Sequence, residues 1–183
     1  MDSRNPSDKR SYFSLVAAQA LGSFNDNFLK QFLIFFALAS VEESSQKTEG
    51  VRLGTFATVV YLLPFILFSA YSGSIADAFS KRSVVVWAKA VEAVLMGAAI
   101  AAFAGHSYPF LVLILFLMAA QSAFFSPAKY GMLPEILSPG DLARGNGVLE
   151  MANFIAIILG IVAAGLLYEA IGTDLHLAGV VLV

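Results

Sequence analysis

Apolar residues run along this chain in long blocks separated by short polar ones. The blocks cover about 12–40, 53–76, 84–104, 109–134 and 146–170, with a last one at 175–183. A helix crossing a bilayer takes about 20 apolar residues, so the first five are long enough to span. The last, LHLAGVVLV, holds nine residues and stops. Half a span cannot satisfy a bilayer, so the pattern reads as a fragment or a truncated gene. The expected fold is an all-α membrane protein, with a polar tail at 1–11 and a transmembrane bundle at 12–183 whose sixth helix is cut short. The connections are expected at VEESSQKTEGVR (41–52), DAFSKR (77–82), GHSY (105–108), LSPGDLARG (137–145) and a short stretch around Gly172 and Asp174.

The first block carries a polar stripe. Gln19, Ser23, Asp26 and Lys30 are spaced i, i+4, i+7, i+11, which puts all four on one face of a helix. Asp26 falls about halfway along the block, and a charge near the bilayer centre costs roughly 2.5–3.5 kcal/mol on insertion scales. Two readings follow. The stripe lines a path for a substrate, or it is a packing seam in which Asp26 and Lys30 neutralise each other. In the fifth block, Ala152, Ala156, Gly160 and Ala164 recur every four residues, a spacing that admits a close neighbouring helix. Pro64 and Pro127 lie inside blocks, where each removes a backbone hydrogen bond and can kink its helix. A shift of 99 residues aligns Ser23 with Ser122 and Lys30 with Lys129, a faint sign of an internal repeat.

Composition supports the membrane assignment. Apolar residues are 58% of the chain and charged residues 13%, where a soluble domain runs to about 25% charged. Mean hydropathy is +0.78. The net charge of −2, without a basic tract, gives no footprint for nucleic acid. There is no cysteine, which excludes a disulfide framework and thiolate metal sites. His106 and His176 lie in expected loops far apart in sequence, so no metal site is expected. The first apolar block is too long for a signal-peptide core and lacks a small-x-small cleavage pattern, so it reads as an uncleaved span. With the N-terminus inside, Arg4, Lys9, Arg10, Lys81, Arg82 and Arg144 fall on inner segments, against Lys47 and Arg52 outside. That bias places the N-terminus in the cytoplasm. Trp87, Tyr108 and Tyr168 lie near span ends, where interfacial aromatics collect.

The segment GSIADAFSKR (73–82) follows the second block. It resembles the signature of the major facilitator superfamily, a glycine, then Ala-Asp, then a basic pair between helices two and three. Gly73, Asp77, Lys81 and Arg82 match, whereas Ala78 and Ser80 stand where the family has a basic residue and a second glycine. Gly73 would allow a close helix contact, and Asp77 would meet the positive end of a helix dipole. FNDNFLKQF (24–32), FFSPAKYGMLPEIL (124–137) and ARGNGVLEMANFIAIILG (143–160) are similar to the lysophospholipid transporter branch of that superfamily. The resemblance runs over essentially the whole chain and covers the N-terminal half of a twelve-span transporter.

What the resemblance implies is a six-helix N-terminal bundle of a major facilitator fold in the bacterial inner membrane. It implies alternating access against a C-terminal half, with lysophospholipids such as lysophosphatidylethanolamine as substrate. Some members are fused to an acyltransferase and an acyl–acyl-carrier-protein synthetase, so a fused acyltransferase is a candidate partner. The 73–82 segment would gate the two states. Gln19, Ser23, Asn25, Asp26, Asn27, Lys30, Lys129 and Glu150 become the candidate substrate path. Asp26 could meet the ammonium of an ethanolamine headgroup and Lys30 the phosphate. Lys89 and Glu92, at i, i+3, read as a structural pair. No cofactor is expected, since no nucleotide-binding motif and no His-x-x-x-x-Asp acyltransferase signature occur, and the chain reads as a non-enzyme. The alternatives are a proton-coupled drug or small-molecule facilitator, with Asp26 as proton carrier, and the membrane part of a bifunctional lysophospholipid acyltransferase.

Overall fold

A computed structural model describes residues 6–39, 47–105 and 107–179, and the statements below concern these. They form five helices: α1 (Pro6–Ala39), α2 (Lys47–Ala78), α3 (Lys81–Ala104), α4 (Tyr108–Ile136) and α5 (Leu142–Gly179). Four of them, α2 to α5, are long and apolar enough to cross a membrane. The first expected span, on α1, is not among these four. That helix has 34 residues, ample length, but the polar residues from Asn25 to Gln31 in its middle dilute its apolar character.

The helices outrun the apolar blocks, because a helix does not end where its side chains turn polar. α2 begins at Lys47, inside the expected 41–52 loop. Glu49 in its first turn suits the helix dipole and pairs with Arg52 at 3.0 Å. α3 begins at Lys81, three residues before its block, since the Ser80 hydroxyl accepts from the Ser83 amide at 3.2 Å and caps the helix. α4 opens with a proline in its first turn, a position needing no amide, and continues through Pro127 and Pro134. The separate truncated sixth helix at 175–183 is not found: α5 continues without a break past Gly172 and Asp174 to Gly179. No proline follows Pro139, and a lone glycine costs a helix only about 1 kcal/mol relative to alanine. Residues 180–183 and His106 lie outside the described residues.

α4 is the central helix, with half of its apolar window buried against 17% for each of the other three. It packs on α2 and α3, while α1 packs most extensively along α5. The small-residue stripe of α5 is where this happens. Ala156 and Ala164 are buried, and a Cβ at Gly160 would lie 2.6 Å from the Phe24 carbonyl oxygen of α1. Two apolar clusters form. One gathers Leu29 and Leu33 of α1 with Leu111, Ile114, Leu115 and Met118 of α4. The other gathers Tyr12 and Leu15 with Phe125, Leu133, Leu137 and Leu149. Between them, along both α1 and α4, lies a polar layer.

Candidate binding cavity

A cavity of about 280 Å³ occupies that layer. α1 gives it Gln19, Gly22, Ser23, Asp26 and Asn27, α2 gives Tyr61 and Phe65, and α3 gives Lys89. From α4 come Ser122, Phe125, Ser126, Lys129 and Tyr130, and from α5 Asn153 and Ile157. All five helices reach it, and polar groups converge on an otherwise apolar bundle.

Asp26 is 5% exposed. Its Oδ2 accepts from the Ser122 hydroxyl at 2.6 Å, while its Oδ1 is buried with no hydrogen-bond partner. A buried carboxylate oxygen left unpaired is costly, which marks Asp26 as a residue kept for more than packing. Ser122 also accepts from the Gln121 amide at 2.9 Å, and Gln121 Oε1 is likewise unpaired. A second network joins α1 to α5. Gln19 donates to Ser23 at 2.9 Å and to Asn153 Oδ1 at 2.7 Å, and the Ser23 hydroxyl donates to the same oxygen. A third organises Glu150. It pairs with Lys129 at 3.6 Å, accepts from the Tyr130 hydroxyl at 2.7 Å, and accepts from Asn153 at 3.3 Å.

Of the sequence-derived path residues, Gln19, Ser23, Asp26, Asn27 and Lys129 meet on the cavity wall. Asn25, Lys30 and Glu150 do not line it. Asn25 is one residue, about 100° of helix, away from Asp26, and it donates to Glu92 on α3 at 2.7 Å. The Lys30 ammonium donates to Asn27 Oδ1 at 3.1 Å and lies 4.9 Å from the Tyr61 ring centre. Glu150 supports the wall through Lys129, Tyr130 and Asn153. Asp26 and Lys30 take other hydrogen-bond partners, and among the described residues no direct ion pair joins the two. The Lys89–Glu92 pair is present, at 2.5 Å.

Sequence reasoning missed Asn153, Ser126 and the cavity-facing role of Lys89. Ser122, Ser126, Lys129 and Tyr130 follow the spacing i, i+4, i+7, i+8, the same signal that marked α1, and could have been read as a second stripe. Asn146, Glu150 and Asn153 follow i, i+4, i+7 on α5 and carry the same signal, whereas Lys89 has only Glu92 at i+3 beside it.

The expected gating segment is described in part. Lys81 bonds Glu135 of α4 at 2.8 Å, and its stem crosses Gly131, where a Cβ would come within 2.7 Å of Lys81 Cε. The SPAKYG stretch is thus docked to the start of α3. A Cβ at Gly73 would meet nothing within 4 Å, so the close helix contact expected there is not made among the described residues. Arg82 is exposed, and the Asp77 side chain lies outside the described residues.

Comparison with known proteins agrees with this architecture. The Major Facilitator Superfamily profile matches residues 14–183. The lysophospholipid transporter LplT of Cronobacter sakazakii is 32% identical over 171 residues, 92% of this chain and 40% of the relative. That of Serratia proteamaculans is 33% identical over 168 residues, 90% of this chain and 38% of the relative. That of Citrobacter koseri is 34% identical over 156 residues, 85% of this chain and 36% of the relative. The chain thus spans about two fifths of the length of these relatives. No solved structure matches. On the family match across nearly the whole chain, and on the helical bundle that encloses the polar layer, the protein is a member of the major facilitator superfamily.

Proposed function

We propose that this chain forms one wall of a lysophospholipid transporter that flips its substrate across the bacterial inner membrane by alternating access. The observation that carries this is the cavity lined by Asp26, whose Oδ1 has no hydrogen-bond partner among the described residues, together with Lys89 and Lys129. A zwitterionic headgroup needs an acceptor for its ammonium and a donor for its phosphate, and both are offered within one polar layer. The relatives named as lysophospholipid transporters support the same substrate class. The N-terminus lies in the cytoplasm, the partner in rocking is a second helical bundle facing the cavity, and the chain moves lipid without chemical change. Reacylation belongs to an acyltransferase, fused or separate.

Asp26→Asn keeps shape and removes charge. In the complete gene product reconstituted in vesicles, it should abolish flipping of labelled lysophosphatidylethanolamine while the yield of folded protein stays near wild type. Normal flipping by this variant would defeat the headgroup role.

A further inference from the structure

Lys89 and Glu92 are the two charged residues in the middle of α3, an otherwise apolar stretch. The Lys89 ammonium reaches the cavity across Gly22 of α1, where any Cβ would overlap it. It is held from behind. Glu92, 3% exposed, takes the Lys89 ammonium on Oε2 at 2.5 Å and the Asn25 amide on Oε1 at 2.7 Å. The Phe125 ring lies 4.6 Å from the ammonium and supports it from α4. A lysine ammonium has three donors, and the clasp on Glu92 uses one. Its side chain keeps 23% exposure, against 5% for Lys129, whose ammonium is already set between Glu150 and the Tyr130 ring.

We infer that Lys89 is a headgroup-binding residue that takes the substrate phosphate, positioned by the Glu92–Asn25 clasp. Lys30, the phosphate partner suggested by the α1 stripe, points instead at Asn27 and Tyr61. The assignment rests on the lysophospholipid-transport reading above and adds the residue that reads the phosphate. Asp26 and Lys89 then divide the headgroup, the carboxylate taking an ammonium where there is one, the lysine taking the phosphate that every lysophospholipid carries.

The test is flipping kinetics of the complete gene product in vesicles, with lysophosphatidylethanolamine and with the lysolipid that bears a bare phosphate. Lys89→Gln alone would strand a buried carboxylate, so it is combined with Glu92→Gln, which keeps an amide partner for Asn25. The double variant should raise KM for both lipids by about ten- to hundredfold, the loss of one charge-assisted hydrogen bond, with maximal rate largely kept. Lys89→Arg should restore most of the affinity. Gly22→Ala, which displaces the ammonium from the opposite helix, should raise KM in the same direction. An unchanged KM in either folded variant overturns the assignment, as does a loss confined to the ethanolamine lipid. Failure of the wild-type protein to move any lysophospholipid would overturn the transport reading itself, a separate result.

Discussion

A methyl group at residue 160 would land 2.6 Å from the Phe24 carbonyl oxygen and 3.2 Å from the Phe28 amide nitrogen. Both are backbone atoms and neither can rotate away. Gly160→Ala should therefore lower stability by about 1–3 kcal/mol, read as an earlier thermal unfolding midpoint in detergent. Gly147→Ala, where a Cβ would meet nothing within 4 Å, is the control and should hold the midpoint or raise it by the helix-propensity gain of up to about 1 kcal/mol. The residues involved were legible to different degrees. The α5 stripe of Ala152, Ala156, Gly160 and Ala164 was visible because its period is that of a helix, and the packing role expected for it is observed at Gly160. Asp26 was visible because a carboxylate in an apolar run is conspicuous. Asn153 was passed over although it extends the Asn146–Glu150 row at i, i+4, i+7, because only the charged member of that row is conspicuous in an apolar run. Lys89 was read as half of an ion pair, which it is, but the pairing with Glu92 gave no hint that a glycine on another helix opens a way to the cavity.

At the scale of elements, helix ends were the least legible part of the chain. Hydropathy marks where a helix meets lipid, whereas capping and hydrogen bonding mark where it stops, and the two differ by several residues at α2, α3 and α5. One tertiary bond fixes the starts of α1 and α5 to each other. The Tyr12 hydroxyl, 1% exposed as a residue, donates to the Gly145 carbonyl at 2.8 Å. Tyr12→Phe should cost about 1–3 kcal/mol, because it leaves a buried carbonyl without that donor. Hydrogen exchange should then rise at the first turns of α5 more than in α4. A uniform rise along all helices would show that the bond is not a local tie.

For the whole molecule, the bundle class followed from the spacing of apolar blocks, but the arrangement of helices around α4 did not, since it depends on which faces meet. The docking of Lys81 on Glu135 and across Gly131 links the first turn of α3 to the last turns of α4. The pair is largely solvent-facing, so Lys81→Ala should change stability by no more than about 1 kcal/mol. Its expected effect is on the balance between access states, seen as altered maximal flipping rate with headgroup preference unchanged. A shifted preference would place Lys81 in recognition instead. Energy coupling is tested on the same scale: flipping should persist when the proton gradient is collapsed, and loss of flipping would favour the proton-coupled facilitator.

The backbone contact between α1 and α5 at Gly160 has a mechanical meaning. Helices that touch through main-chain atoms cannot slide on flexible side chains, so α1 and α5 behave as one lever. Asp26 and Asn153 ride on the two arms of that lever and keep their spacing whichever way the bundle tilts. In the transport reading proposed above, a headgroup divided between Asp26 and Lys89 would then have one side of its grip on this rigid α1–α5 unit and the other on α3.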